Sequence, residues 1–210
     1  MTSAISNQTS ILDQGVNVMA VQEHCVDEAA AARFKAEAKL QGWESYLGPT
    51  DPEHTKKSAG VGFLWKGGVD LMPITPCTKD YADAVATGRL LIMHYETTDG
   101  LSFLTNVYGW TGGSLGSIAA GRTNDLLKIA WNELALQPDG RSLMCGDING
   151  DTVNFPILHA LLQDGALIDI GANEQLTQKT APDYTRQAKL GGIETRLDYI
   201  LSTQQAWTIY

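Results

Sequence analysis

The sequence has little cysteine, no long apolar run and a deficit of positive charge, and each shortage narrows what the chain can be. Its three cysteines, Cys25, Cys77 and Cys145, are widely spaced and odd in number, a poor basis for a disulfide framework and without the C-x-x-C pairing of metal or redox motifs. They read as free thiols, and Cys145, inside Leu143-Met144-Cys145, reads as a small buried hydrophobe rather than a reactive group. No apolar run approaches the roughly 20 residues needed to cross a bilayer. The opening MTSAISNQTSILDQG lacks the charged-then-apolar layout of a signal peptide, so an intracellular location is expected. With 15 Lys and Arg against 24 Asp and Glu, the formal charge is −9. That argues against a protein whose whole surface binds nucleic acid. It leaves a nuclease open, because carboxylates that hold a divalent cation add negative charge while the cation supplies the local positive field a phosphate requires.

What is present suits one globular domain: 210 residues, 43% of them hydrophobic, with no internal repeat or low-complexity stretch. Val16 to Val21 reads as a strand that ends at Gln22-Glu23. Asp27 to Gln41 reads as a helix, with Asp27 as N-cap and Gly42 as stop. Trp43–Leu47 and Gly60 to Trp65 read as strands. Arg89 to Tyr95 and Leu101 to Tyr108 flank Thr98-Asp99-Gly100, a hairpin signal. Ile118 to Leu136 carries apolar residues at helical spacing. Ser142 to Cys145 reads as a strand that runs out into Gly146-Asp147-Ile148-Asn149-Gly150, and Phe155 to Leu162 as a further helix. Leu167 to Ile170, Arg196 to Leu201 and Trp207 to Tyr210 read as the remaining strands. Strands outnumber helices and several pair as hairpins, so two packed sheets flanked by helices are expected rather than a doubly wound parallel sheet.

Three polar clusters stand at strand ends: Gln22-Glu23, Gly146-Asp147-Ile148-Asn149 and Arg196-Leu197-Asp198. Carboxylates gathered at the lip of a sheet can hold a hard cation, and Mg²⁺, with Mn²⁺ as substitute, fits because it takes only one or two carboxylates and keeps waters. Asp147 is placed to take a proton from an attacking water, and the Asn149 amide to donate to a phosphate oxygen. The same four residues also compose an ordinary turn. Asp198 lies in the apolar run Leu197 to Leu201, where an ionised carboxylate needs a partner, either a His or the neighbouring Arg196. Tyr108 ends a hairpin strand, either lining the same crevice or serving as a wall residue. His24, His54, His94 and His159 show no metal-ligand spacing.

In this order, Val21-Gln22-Glu23, Ser58-Ala59-Gly60-Val61-Gly62, Asn106-Val107-Tyr108, Gly146-Asp147-Ile148-Asn149 and Arg196-Leu197-Asp198-Tyr199-Ile200-Leu201 resemble the endonuclease/exonuclease/phosphatase superfamily, from about residue 5 to 205. The resemblance implies a four-layer α/β sandwich and Mg²⁺-dependent phosphoester hydrolysis. It implies Glu23 as metal-binding glutamate, Asp147 as the acid that activates water and Asn149 as the amide that helps hold the phosphate. Tyr108 matches a tyrosine lining the site, and Asp198 an aspartate that orients a catalytic histidine. The chain departs from the family at both ends. It opens in what reads as the helix after the family's Asn-bearing first strand, Ile5 to Gln14, and no Ser-Asp-His follows Asp198. The expectation is a single domain over 1–210 that lacks those two motifs and is prone to associate through uncovered sheet surface. Its leading reading is a phosphoesterase acting on nucleic acid, with a phosphoinositide as the alternative substrate. A non-catalytic binding module, or a piece of a retroelement-like nuclease, is the rival.

Overall fold

In the computed structural model, which describes residues 15–52, 59–113, 115–138, 140–173 and 196–207, the apolar runs assemble into two sheets. Strand β1 (Val18–Val21) pairs antiparallel with β3 (Gly62–Lys66), which pairs on its other side with β2 (Trp43–Leu47). The second sheet has six strands, in the order β4 (Met72–Pro73), β5 (Leu90–Thr97), β6 (Gly100–Tyr108), β7 (Arg141–Asp147), β9 (Asp198–Thr203) and β8 (Leu167–Asp169). All of its pairings are antiparallel except β6 with β7.

The Asp99-Gly100 turn closes the β5–β6 hairpin, with Thr97 opposite Gly100. The parallel β6–β7 pair needs a crossover, and helix α3 (Ile118–Ala135) supplies it, started by the Ser117 hydroxyl accepting from the Ala120 N–H. Helix α1 (Glu28–Leu40) begins at Asp27, whose carboxylate accepts from the Ala30 N–H at 2.8 Å, and stops at Gly42, where φ is +80°. Both ends follow from the chemistry of caps.

Alternation along the strands sorts the core into layers. Leu90, Ile92, Phe103, Val107 and Met144 face the helices, packing on Leu126, Leu127 and Ala130 of α3, on Tyr81 and Ala84 of helix α2 (Lys79–Ala86) and on Leu158 of helix α4 (Pro156–Gln163). Leu91, Met93 and Tyr108 face the other way and meet Val61, Phe63 and Trp65 between the sheets. Phe34 and Ala38 of α1 cover the outer face of the small sheet at Trp43 and Leu64. The result is helix, sheet, sheet, helices, the expected four layers.

Two elements were not legible in the sequence, β4 and α2. The α2 N-terminus is held by Glu133 from α3: its carboxylate accepts from the Cys77 and Thr78 N–H groups and the Thr78 hydroxyl, a contact no local pattern encodes. At the other end, Gln204–Trp207 forms a short helix, α5; of the strand expected over Trp207 to Tyr210, Trp207 alone lies among the described residues. The expected helix over Ile5 to Gln14 lies outside the described residues, as do 208–210.

Three strands cannot cover six. β1 lacks a strand partner on its outer side among the described residues, and beyond it lies a trough of about 1010 Å³ between the sheets, floored by Leu104, Leu143, Cys145 and Ile200.

Candidate active site

The parallel register of β6 and β7 puts Tyr108 beside Asp147, and the antiparallel register of β7 and β9 puts Asp147 beside Asp198. Cross-strand neighbours point to the same face, so the three side chains form one row on the face turned toward the small sheet. Gly146 makes this possible at close quarters: a Cβ there would sit 1.9 Å from the Val107 carbonyl oxygen.

Glu23 reaches the row from β1. Glu23, Cys25 and Ala59 all have φ between +51° and +59°, a left-handed conformation costly for residues with side chains. Backbone bonds from His24 N–H to the Gly60 carbonyl (3.2 Å) and from Cys25 N–H to the Ala59 carbonyl (3.3 Å) hold this loop against the next. His24 lies buried over Gly60, where any Cβ would meet the imidazole at 2.5 Å. Asn106 ties the sheets together just behind. Its amide donates to the Val21 and Gly62 carbonyls, and its oxygen accepts from the Gln22 amide at 2.6 Å. The Tyr108 hydroxyl hydrogen-bonds the Glu23 carboxylate, and burial first, then that carboxylate, push the phenol above its ordinary range.

Asp147 is pushed up to about 6, chiefly by burial and then by the Asp198 and Glu23 carboxylates; the Asn149 N–H, donating to its Oδ1 at 3.0 Å, opposes the shift. Asn149 is itself left-handed, at φ +56°, so the Asp147-Asn149 segment is a tight turn rather than an extended stretch. The Asn149 amide donates to the Gly109 carbonyl at 3.2 Å.

Asp198 is exposed, not buried as its apolar surroundings in sequence suggest. Alternation explains this: Tyr199 and Leu201 turn to the helix-side core, while Asp198 and Ile200 turn to the inner face, at a part that the described strands of the small sheet leave open. Arg196 pairs with Asp169 instead, through two bonds of 2.6 and 2.8 Å, while its Nε donates to the Asp198 carbonyl. The structure therefore brings Glu23, Tyr108, Asp147, Asn149 and Asp198 to one end of the sandwich.

Among the described residues no group of three His, Cys, Asp or Glu side chains has the arrangement of a metal cage. Mg²⁺ does not need one, since one or two carboxylates and waters suffice. Glu23 and Asp198 add to the burial that raises Asp147, and their negative charge is a surplus a cation would relieve. The donor set, with Glu23 and Asp198 exposed and Asp147 half-buried, thus fits a hard, partly hydrated ion.

One participant escaped the sequence reading. Arg89, at the start of β5, is buried beneath Tyr108 and Trp110 with its guanidinium 5.0 and 4.5 Å from their rings, and it lies 3.7 Å from Asp51. A charge opening an apolar strand was the available signal.

No protein-family model matches the sequence, and no curated protein is significantly similar to it. Solved structures do match in fold. The 3′-5′ exonuclease NExo from Neisseria meningitidis superposes with a TM-score of 0.63 at 16% identity, over 96% of this chain and 84% of that one. An AP endonuclease from Archaeoglobus fulgidus gives 0.63 at 14%, over 96% and 83%. TDP2 from D. rerio gives 0.62 at 14%, over 95% and 76%. At these identities the likeness is one of architecture, and together with the layers and strand order it shows that the chain has the fold of the endonuclease/exonuclease/phosphatase superfamily.

Proposed function

We propose that this chain is a divalent-metal-dependent phosphoesterase domain whose substrate is a phosphodiester of nucleic acid. The observation that carries the reading is the convergence of Glu23, Asp147 and Asp198, with Tyr108 and Asn149, at one end of the sandwich. Asp147, held near 6, suits a general base working near neutrality, because a base with a pKa close to the operating pH combines the right protonation state with useful driving force. The Asn149 N–H fixes the Asp147 carboxylate, and the amide of Asn149 lies beside it to orient a phosphate oxygen. The Tyr108 hydroxyl holds Glu23. A bound Mg²⁺ or Mn²⁺ would neutralise phosphate charge and polarise a phosphoryl oxygen, with Glu23 as its ligand. NExo has been captured with a product DNA hairpin and D. rerio TDP2 with a single-strand DNA product, which supports nucleic acid over a phosphoinositide as substrate.

The test is cleavage of plasmid, abasic-site duplex and single-stranded oligonucleotide with Mg²⁺, alongside inositol polyphosphate, by the wild-type chain and by Asp147→Ala. Turnover lost in Asp147→Ala supports the proposal, and the substrate cleaved decides between nucleic acid and phosphoinositide. One N–H of the Asn149 amide donates to the Gly109 carbonyl, and its second N–H is the donor a phosphate oxygen would take; the other outcome is a module that binds nucleic acid without cutting it. Oligonucleotide binding with no Asp147-dependent turnover would establish that reading.

A further inference from the structure

We infer that Arg89 is a positioning residue that locks the metal-side loop bearing Glu23 and the phosphate-side turn bearing Asn149 into one frame. The inference rests on the reading of this cleft as a phosphoesterase site.

Its side chain is 5% exposed, and a guanidinium so buried is retained only with strong compensation. Here the compensation comes from the site on one side and from Asp51 on the other, while Nε is buried without a hydrogen-bond partner. Nη1 donates to the Tyr108 carbonyl at 3.4 Å and the Gly109 carbonyl at 3.2 Å. The Gly109 carbonyl is the same oxygen that accepts the Asn149 amide, so Arg89 and Asn149 share one acceptor. The Gly109 N–H in turn donates to the Asp147 carbonyl at 2.8 Å. The planar cation lies against both flanking rings, Tyr108 at 5.0 Å and Trp110 at 4.5 Å, which fixes the ring whose hydroxyl holds Glu23.

The backbone of the same turn completes the frame. The Arg89 carbonyl accepts from the Tyr108 N–H at 2.8 Å, and the Gly88 carbonyl accepts from the Gly60 N–H at 2.9 Å. Gly60 then holds the His24 N–H, next to Glu23. Gly88 has no room for a side chain: a Cβ would lie 2.2 Å from the Pro49 carbonyl oxygen. Asp51, on the loop after Pro49, supplies the counter-charge at 3.7 Å. Glu23 on one side and Asn149 on the other are thus referred to a single planar group.

Lysine keeps the charge but not the plane that lies against the Tyr108 and Trp110 rings. In Arg89→Lys, kcat for bis(p-nitrophenyl) phosphate with Mg²⁺ should fall by about a hundredfold, the cost expected of a misplaced catalytic geometry, while KM stays within about threefold. Hydrogen exchange should accelerate at the Gly109, Gly113 and His24 amides while the central amides of β5 and β7 keep wild-type protection. Asp51→Asn, a milder change, should move the same amides in the same direction, and it carries the measurement if Arg89→Lys does not fold. Wild-type kcat in Arg89→Lys, or exchange that rises evenly across both sheets, would overturn the role. Absence of Asp147-dependent turnover in the wild type would remove the phosphoesterase reading instead, and the exchange pattern alone would then decide whether Arg89 fixes the two loops.

Discussion

Asp147 and Asp198 stand directly opposite each other on β7 and β9, two carboxylates in one cross-strand pair. Like charges so placed repel; burial first, then this repulsion and Glu23, hold Asp147 near 6.

A defined pH dependence follows. The folded pKa of Asp147 is raised above its ordinary value of 3.8, so its contribution to stability is fully present below about pH 4 and is lost as pH rises through about 6. The difference in melting temperature between wild type and Asp147→Asn should therefore change across that window and be flat above it. Asp198→Asn should move the midpoint of the change downward. A difference that stays constant from pH 4 to pH 7 would contradict the shift.

Divalent-ion binding should depend on Glu23. Calorimetric titration with Mg²⁺ or Mn²⁺ is expected to show weak binding in the wild type and a clear loss in Glu23→Gln, with Glu44→Gln, remote on β2, unchanged. Superimposable isotherms for Glu23→Gln and wild type would exclude Glu23 as a ligand.

Gly146→Ala tests the close approach of β6 and β7. A Cβ at 1.9 Å from the Val107 carbonyl oxygen forces the strands apart, and overpacking of this kind costs about 1–3 kcal/mol or more. The urea midpoint should drop accordingly. Gly121→Ala, in α3 with open space around it, should be neutral or mildly stabilising.

Among the described residues part of the large sheet is left uncovered, and this should make the chain associate. Ile200 is 51% exposed on the floor of the trough, and apolar surface beside an unpaired strand edge invites pairing. Light scattering should show concentration-dependent association that Ile200→Glu reduces. A monodisperse monomer at every concentration would count against it.

Much of this arrangement is legible in the sequence where structure is local. Trp43–Leu47 alternates and forms the strand with those bounds. Asp27 and Ser117 cap the helices that follow them, and Asp99-Gly100 closes the hairpin. Legibility ends where distant parts decide. Helix α2 depends on Glu133, far along the chain. Asp198 looks buried by its neighbours in sequence, yet its exposure depends on how far the small sheet extends. Arg89 is an isolated charge in the sequence, and nothing local reveals that Trp110 will lie against it. The ordered motifs marked the site because strand ends are local, whereas the frame that holds the site is built from contacts between strand ends and loops distant in sequence.

The parallel junction of β6 against β7 also bears on how the molecule folds. A hairpin closes within microseconds, but a parallel pair joined through a helix must bring distant residues together before any contact rewards the loop closure. Tyr108 and Asp147 meet only at that junction. The site should therefore take shape after the β5–β6 hairpin and after α3 has docked. Substitutions in the α3 interface, such as Leu127→Ala, are then expected to slow the appearance of the cleft more than the appearance of the hairpin.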